Sequence, residues 1–515
     1  MPRSQTKPNL LNRWIRAGAD LFGLRPKVDP RADFSRRVRR EAHRIVREVR
    51  AKYDAAQTTD ENRKHWANAD ALSANAANSP EVRAKLRNRS RYERDNNSYF
   101  EGIVHTLAGD LIGTGPRLQL MTSSETLNRT IEREFGFWCD AIDLPGKLNL
   151  TDMARHVDGE GFLIAQTNRK LSTPVQLDYL DIECDQFTDG TLSRFYPTQR
   201  AVDGIRFDAY RNPTNYMMLP MHPGDEMAPG SQKPVPMPAS NVLHWFVPTR
   251  PGQARGIPTV TPALGLFAQL RRYSQAVLIA AEIAAELAAF MESNLPAGDG
   301  SDGGDTDFDL LEIVRGQITT LPGGWKISQL NPTQPTTTFS DFVNAILREI
   351  ARCLQMPWGL AAGDSSSYNY ASGRLDVQTY LRMIKLVRAR LERLLIDKIF
   401  TSWLDEAILI PNYLPMNGQP PYRDWAWRWH WDGFEHVDPS KEANALETLL
   451  RINATTLETA FAAKGQDWME ALQQIAKEKK VMQELGLTTA ATTPAPAGPP
   501  ELNPADAEAE HATAS

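Results

Sequence analysis

Residues 241–292 read NVLHWFVPTRPGQARGIPTVTPALGLFAQLRRYSQAVLIAAEIAAELAAFME, and the periodicity changes part-way along. NVLHWFVP (241–248) alternates large apolar with other side chains, the spacing of a half-buried strand. TRPGQARGIP (249–258) brings prolines and glycines together and predicts an elbow. From Thr259 to Glu292 the spacing predicts one helix of about 34 residues, roughly 50 Å at about 1.5 Å per residue. Its second half, AVLIAAEIAAELAAF, sets Glu282 and Glu286 one turn apart, with Val277, Ile283, Leu287 and Phe290 elsewhere on the surface. Small residues all round let other helices approach closely, whereas an acidic stripe needs water or a cation. A rod of this length packed against copies of itself explains the pattern better than a single domain-spanning helix.

Upstream, residues 80–112 read as one helix with Leu86, Tyr92, Ile103, Leu107 and Leu111 inward, stopped by Gly113-Thr-Gly-Pro116. Residues 125–142 read as a second, with Ile131, Phe135 and Trp138 on one stripe. A strand-rich block follows in GFLIAQTN (161–168), VQLDYLDI (175–182), residues 193–212 and NVLHWFVP, with Asp203-Gly204 as a hairpin signal. His244 lies mid-strand and is expected to be a satisfied core histidine.

Downstream, AGDGSDGGDTD (297–307) reads as a solvated acidic loop. Asp299, Asp302, Asp305 and Asp307 lack the closing glutamate of a calcium-binding loop. The run from Ile313 to Leu330 suggests a small hairpin around Pro322-Gly-Gly324. Phe339–Met356 predicts a helix ended by Pro357, then the turn-rich WGLAAGDSSSYNYASG (358–373) and a regular helix from Arg374 to Leu404. Trp425, Trp427, Trp429 and Trp431 recur at period two, on one face of a strand. Such a face either stacks nucleic-acid bases or walls a core, and the area of the rings favours the core. Asp438-Pro439 starts the last helical region, two helices over about 440–462 and 467–485.

A length of 515 residues exceeds one core, and 41% hydrophobic with 23% charged residues excludes a largely disordered or multi-span membrane chain. A net charge of −5 argues against a protein that coats nucleic acid. Charge is uneven, however. Residues 1–50 hold about fourteen Lys/Arg against about five acids. The run from Phe34 to Lys52 is either a basic arm for nucleic acid or an acidic partner, or a solvated helix face. From Thr488 onward the chain lacks Lys, Arg and nearly all large apolar residues and is expected to be disordered. Cys139, Cys184 and Cys353 are too widely spaced for a zinc cluster and read as apolar thiols in a reducing compartment. The start of the chain lacks the uninterrupted apolar core of a secretory signal, and no stretch is apolar enough to span a membrane.

No phosphate-cradling GxxxxGK[ST], no HExxH and no GxSxG occurs; Gly363-Asp-Ser-Ser-Ser367 lacks the second glycine. The expectation is no catalytic residue, no bound metal, no cofactor and no enzyme. Two rivals remain. One is a packaging-associated, metal-dependent nuclease, with Asp178, Asp181, Glu183 and Asp185 as ligands. The other is a minor capsid or adaptor protein without a channel.

Three stretches, NSYFEGIVHTLAGDLIGTGPRLQ (97–119), VLHWFVPTRPGQARGIPTVTPAL (242–264) and MPWGLAAGDSSSYNYASGR (356–374), occur in an order that resembles the lambda-type portal proteins of tailed bacteriophages. The resemblance runs from about Pro80 to Leu487. It implies an α+β portal fold with a mixed α/β wing, long stem helices, a small β-containing clip and a helical crown, assembled as a ring of usually twelve subunits. Carried onto this chain, it makes 1–79 a basic N-terminal arm and linker, 80–255 the wing and 256–292 the first stem helix. The clip is then 293–338, the second stem helix 339–356, and the channel loop 357–373. Residues 374–437 return to the wing, 438–487 form the crown, and 488–515 the disordered tail.

The resemblance further implies passage of double-stranded DNA during packaging and ejection. The implied partners are the large terminase, a head-completion or connector protein, and the major capsid and scaffold proteins, with no membrane. The location would be the portal vertex of the virion capsid, after assembly in the host bacterial cytoplasm. In this reading Ser365, Ser366, Ser367, Tyr368, Asn369 and Tyr370 face DNA, and Glu282 and Glu286 form an acidic stem stripe. Ile318, Leu321, Trp325 and Lys326 face the terminase. An uncharged polar loop suits a channel, because every counterion-releasing contact would brake the DNA.

Overall fold

Two serines open successive helices by capping them. Ser73 accepts from the Ala76 N–H and starts α1 (Ala74–Ala77); Ser79 accepts from the Val82 N–H and starts α2 (Pro80–Asn96). The computed structural model describes Ala56 and residues 59–487, apart from 190–200, 230–231, 287–289, 294–324, 329–338, 367–368, 417–420, 434–438, 463 and 467. The basic run 34–52, the acidic loop, the 313–324 part of the expected hairpin and the C-terminal tail therefore lie outside the described residues. The chain divides into two units, 1–72 and 73–515. In the first, the Thr59 N–H donates to Asn62 Oδ1 at 2.8 Å and the Asn62 N–H to Thr59 Oγ1 at 3.2 Å.

In the second unit the expected 80–112 helix is two. Asn97 closes α2 with extended backbone, and its side chain accepts from Tyr99 and Phe100 N–H to start α3 (Ser98–Ile112). A short polar side chain that can bond nearby backbone competes with helix continuation, and here it wins. Tyr92 is exposed rather than in the core. The inward face of α2 is polar: Arg83, Arg87, Ser90 and Glu93 are buried. By contrast α3 buries Phe100, Ile103, Val104, Leu107 and Leu111, and Gly113 (φ 56°) ends it.

After β1 (Arg117–Leu120) come α4 (Glu125–Ala141), which buries Ile131, Phe135 and Trp138 as their spacing predicts, and α5 (Leu144–Val157), which the sequence reading missed. The strands are β2 (Gly161–Thr167), β3 (Leu177–Ile182), β4 (Ala201–Val202), β5 (Ile205–Phe207), β6 (Pro213–Met218), β7 (Val235–Pro238) and β8 (Val242–Trp245). They form an antiparallel β3-β2-β8 sheet and a β4-β5-β6-β7 meander. Asp203 (φ 36°) and Gly204 (φ 82°) turn between β4 and β5, the left-handed pair that a two-residue hairpin requires.

The long helix is shorter than its sequence suggests. Residues 261–263 form a 3-10 turn, and α6 runs Leu264–Glu286. Phe290 belongs to β9 (Phe290–Ser293), which pairs antiparallel with β10 (Trp325–Ser328). The helix expected over Phe339–Met356 is α7 (Phe339–Cys353). The expected loop over 358–373 contains α8 (Trp358–Ala362), and α9 (Tyr370–Leu391) begins four residues before Arg374. A π-helical turn, 392–396, joins α9 to α10 (Asp397–Leu409). Then β11 (Trp427–His430) pairs with β1, closing a contact across more than 300 residues of chain. Three helices follow rather than two, α11 (Pro439–Arg451), α12 (Leu457–Ala462) and α13 (Trp468–Glu484), because Asn453 (φ 54°) leaves helical geometry.

One large core joins α3–α5, the first turns of α6, α7, α9 and α10; a smaller one gathers Phe162, Phe187, Tyr216 and Val242 between the sheets. The tryptophan strand walls the large core. Trp425 and Trp431 are buried and Trp427 and Trp429 half-buried. Asp397 Oδ1 accepts the indole N–H of both Trp427 and Trp429 at 2.9 Å. Glu392 Oε1 accepts that of Trp431 at 2.6 Å. Cys139 and Cys184 are buried and Cys353 half-buried, all as free thiols. Among the described residues no helix is long and apolar enough to cross a membrane.

Candidate functional site

The elbow before α6 is built on two glycines that cross. A Cβ on Gly256 would overlap the Gly159 carbonyl oxygen, and one on Gly159 (φ 98°) would overlap the Ile257 backbone. That close approach delivers Glu160 and Arg255 to one another. Both are almost fully buried. Arg255 Nε and Nη2 donate to Glu160 at 2.6–3.0 Å. Its Nη1 donates to the carbonyls of Phe187 (2.9 Å) and Asp203 (2.6 Å), and Nη2 also to that of Cys184 (3.2 Å). Glu160 Oε2 further accepts from His244 Nε2 (3.0 Å) and Gly256 N (2.8 Å). Burial alone would raise the Glu160 carboxyl, but the Arg255 guanidinium and His244 hold it well below the ordinary range. Burial and the adjacent guanidiniums depress His244, so it is a satisfied, neutral core histidine.

A second buried cluster lies one turn earlier. Asp152 accepts from Arg155 Nε (2.7 Å) and from Trp245 Nε1 (2.8 Å), while His156 Nδ1 meets the Thr259 hydroxyl (2.7 Å) just before α6. Arg83 pairs with Asp203, and Arg271 of α6 with Glu93 of α2 at 2.9 Å. Asn97 Nδ2 donates to the Phe267 carbonyl at 3.1 Å, and the Phe100 and Phe267 rings lie 4.8 Å apart. Tyr273 meets Phe339 and Phe342 of α7 with centroids 5.5 and 4.6 Å apart. Buried charge pairs hold geometry more than they add stability. Here they fix the direction in which α6 leaves the sheets.

Past this foundation α6 changes character. Phe267 and Leu270 are buried, yet from Arg271 to Glu282 no residue is, although this stretch includes Val277, Leu278 and Ile279. Glu282 is exposed, and Glu286 closes the helix. In the expected channel loop, Ser365 and Ser366 are exposed, and the Ser366 N–H donates to Asp364 Oδ1 at 2.8 Å. Asn369 caps α9 by accepting from the Ser372 N–H, and Tyr370 starts that helix. Ser367 and Tyr368 lie outside the described residues, as do Ile318 and Leu321; Trp325 and Lys326 are in β10.

The four carboxylates of the nuclease alternative do not converge. β3 ends at Ile182 and residues 184–186 form a 3-10 turn, so Asp181, Glu183 and Asp185 do not alternate on one strand face. Asp178 bonds Lys147 at 2.5 Å and Asp181 the Thr151 hydroxyl at 3.1 Å; burial pushes Asp181 up to about 6. Asp185 pairs with Arg87 and Arg91, both at 2.8 Å. Glu183, Asp185 and His222 offer ligand atoms within 4.8 Å of one another, but Arg91 already engages both carboxylates. The buried Glu160–Arg255 pair was missed in the sequence. Its trace there was a charge flanked by glycines, Gly159-Glu-Gly161, and an arginine beside Gly256 in the elbow.

The model of the phage portal protein, lambda family, matches residues 60–388. A probable portal protein of Halomonas phage phiHAP-1 is 25% identical over 431 residues, 78% of this chain and 81% of that protein. Portal protein B of Escherichia phage lambda is 23% identical over 279 residues, and the chain spans about half of its length, 52%. Among solved structures, the neck of a native gene transfer agent particle is similar with a TM-score of 0.44 at 14% identity, over 73% of this chain and 90% of that one. The elbow, α6, α7, α8 and most of α9 all fall inside the matched span, and the chain belongs to the lambda family of phage portal proteins.

Proposed function

We propose that twelve copies of this chain form a closed ring at one capsid vertex, through which double-stranded DNA enters during packaging and leaves at ejection. One observation carries the reading: among the described residues of α6 from Arg271 to Glu282, none is buried in a single chain. Leu278 (60% exposed) and Ile279 (53%) on this helix need cover from other copies. In this reading α6 and α7 are the stem and 293–338 the clip that docks the large terminase and later a head-completion protein. The wing meets the major capsid and scaffold proteins, and 438–487 form the crown. The loop around Ser365 and Ser366 faces the DNA, and its lack of cationic side chains keeps friction low. The protein acts in the virion after assembly in the host bacterial cytoplasm, as a structural component rather than an enzyme.

Class-averaged images and native mass of the purified chain test the ring; a compact monomer at high concentration would overturn it. Substituting both Ser366 and Ser367 with Lys is expected to slow packaging while rings still assemble. Unchanged packaging by such rings would remove the loop from the channel.

A further inference from the structure

The first turns of α9 stand largely clear of their own chain. From Ser372 to Thr379 every residue except Gly373 is exposed, and burial begins at Tyr380. One side of this segment borders a groove of about 530 Å³ whose floor is mainly apolar, formed with Pro357, Leu360, Gly363, Gly373 and Val377. At about 100° per residue, Leu375 and Leu386 lie roughly 160–180° around the helix from the Gly373–Val377 side. These two leucines are 64% and 70% exposed.

The charges are biased in the same way. Asp364 and Asp376 border the groove with one cation, Arg374, whereas Arg382 stands exposed on the leucine side and Lys385 is exposed on the flank of the helix. An apolar ridge with cations beside it and an apolar groove whose rim carries two carboxylates against one guanidinium are complementary in net sign. They sit on opposite faces of one helix, so a copy cannot close them on itself. Opposed, complementary faces make a head-to-tail contact, which closes into a ring when the rotation allows.

We propose that the groove beside α9 receives the Leu375–Leu386 face of α9 from a second copy of this chain. The inference rests on the ring reading and specifies where adjacent copies lock. The Asp364 and Asp376 carboxylates of one copy then lie near Arg382 and Lys385 of the next, and Leu375 fills the space over Leu360.

The test is disulfide trapping in the full-length chain. Leu375→Cys combined with Leu360→Cys, oxidised after assembly, is expected to give a denaturing-gel ladder of covalent multimers, while neither single variant exceeds the unsubstituted chain. Both positions are at least partly exposed, so the exchanges leave the core intact. As a second measure, Leu375→Glu is expected to lower the ring fraction at least tenfold without shifting the monomer's melting temperature. Rings that form normally, with no ladder and no effect of Leu375→Glu, overturn this contact and leave the ring reading standing. An unsubstituted chain that never forms rings overturns both.

Discussion

Glu160 has a relative exposure of 1%, as does Arg255, so removing either partner strands a charge away from water. Arg255→Met is expected to lower unfolding free energy by roughly 3–5 kcal/mol, read by urea denaturation. Adding Glu160→Gln should recover part of that loss, because the stranded charge and not the missing packing dominates it. A single variant within about 1 kcal/mol of the parent would contradict this. The same clusters set the pH response. Glu160 and His244 both titrate lower in the folded chain than unfolded, so the unfolded state takes protons first and stability falls as pH drops below about 6.5. Asp181 has the opposite sign. Raised to about 6, it binds its proton more tightly when folded, so its contribution is present at low pH and lost as pH rises from about 4 towards 6. Asp181→Asn should therefore stabilise the chain near pH 7 by roughly 1–2 kcal/mol and leave it unchanged near pH 4. Equal melting temperatures for the two chains at pH 7 would sink that assignment.

Elements differ in how openly the sequence announces them. The stripes of α3 and α4 and the period-two tryptophans bury side chains at fixed spacing, and such local patterns are legible. The inward face of α2 is not, because it is charged and its partners Asp158, Asp185 and Asp203 lie 67–120 residues further on. Apolar periodicity is blind to that face. It is blind too to the π turn at 392–396, whose role lies with groups distant in sequence. The turn and the residue after it supply Asp397 to the indoles of Trp427 and Trp429 in β11 and Glu392 to that of Trp431 just beyond it. One oxygen of Asp397 satisfies two tryptophans. Asp397→Leu leaves both N–H groups without that acceptor and is expected to cost roughly 2–4 kcal/mol, with a shift in tryptophan emission. Asp397→Asn retains an acceptor oxygen and should cost less. If Leu and Asn are equally tolerated, the shared carboxylate does not hold the wall.

At the scale of the molecule, the sequence made the helix α6 legible through its alanines but not its end. Phe290-Met-Glu-Ser293 shows no alternation that would mark a strand, and its partner Trp325–Ser328 lies 32 residues away at the closing pair. A strand that short is specified by its partner, not by itself. Its register has a consequence for function. Ser293 stands opposite Trp325, so the two strands can be joined by a two-residue turn in place of 294–324. Asn-Gly suits that turn, because both residues tolerate positive φ. The exchange leaves α6, α7, the elbow and the α9 groove untouched, so melting temperature and ring formation should match the parent. Docking of purified large terminase, measured by interferometry on assembled rings, should fall at least tenfold, because the span read as the clip is gone. Rings that still bind terminase with parental affinity would move the docking surface elsewhere, onto the stem or wing; rings that fail to form would mean that the clip, and not α6 and α9, holds adjacent copies together.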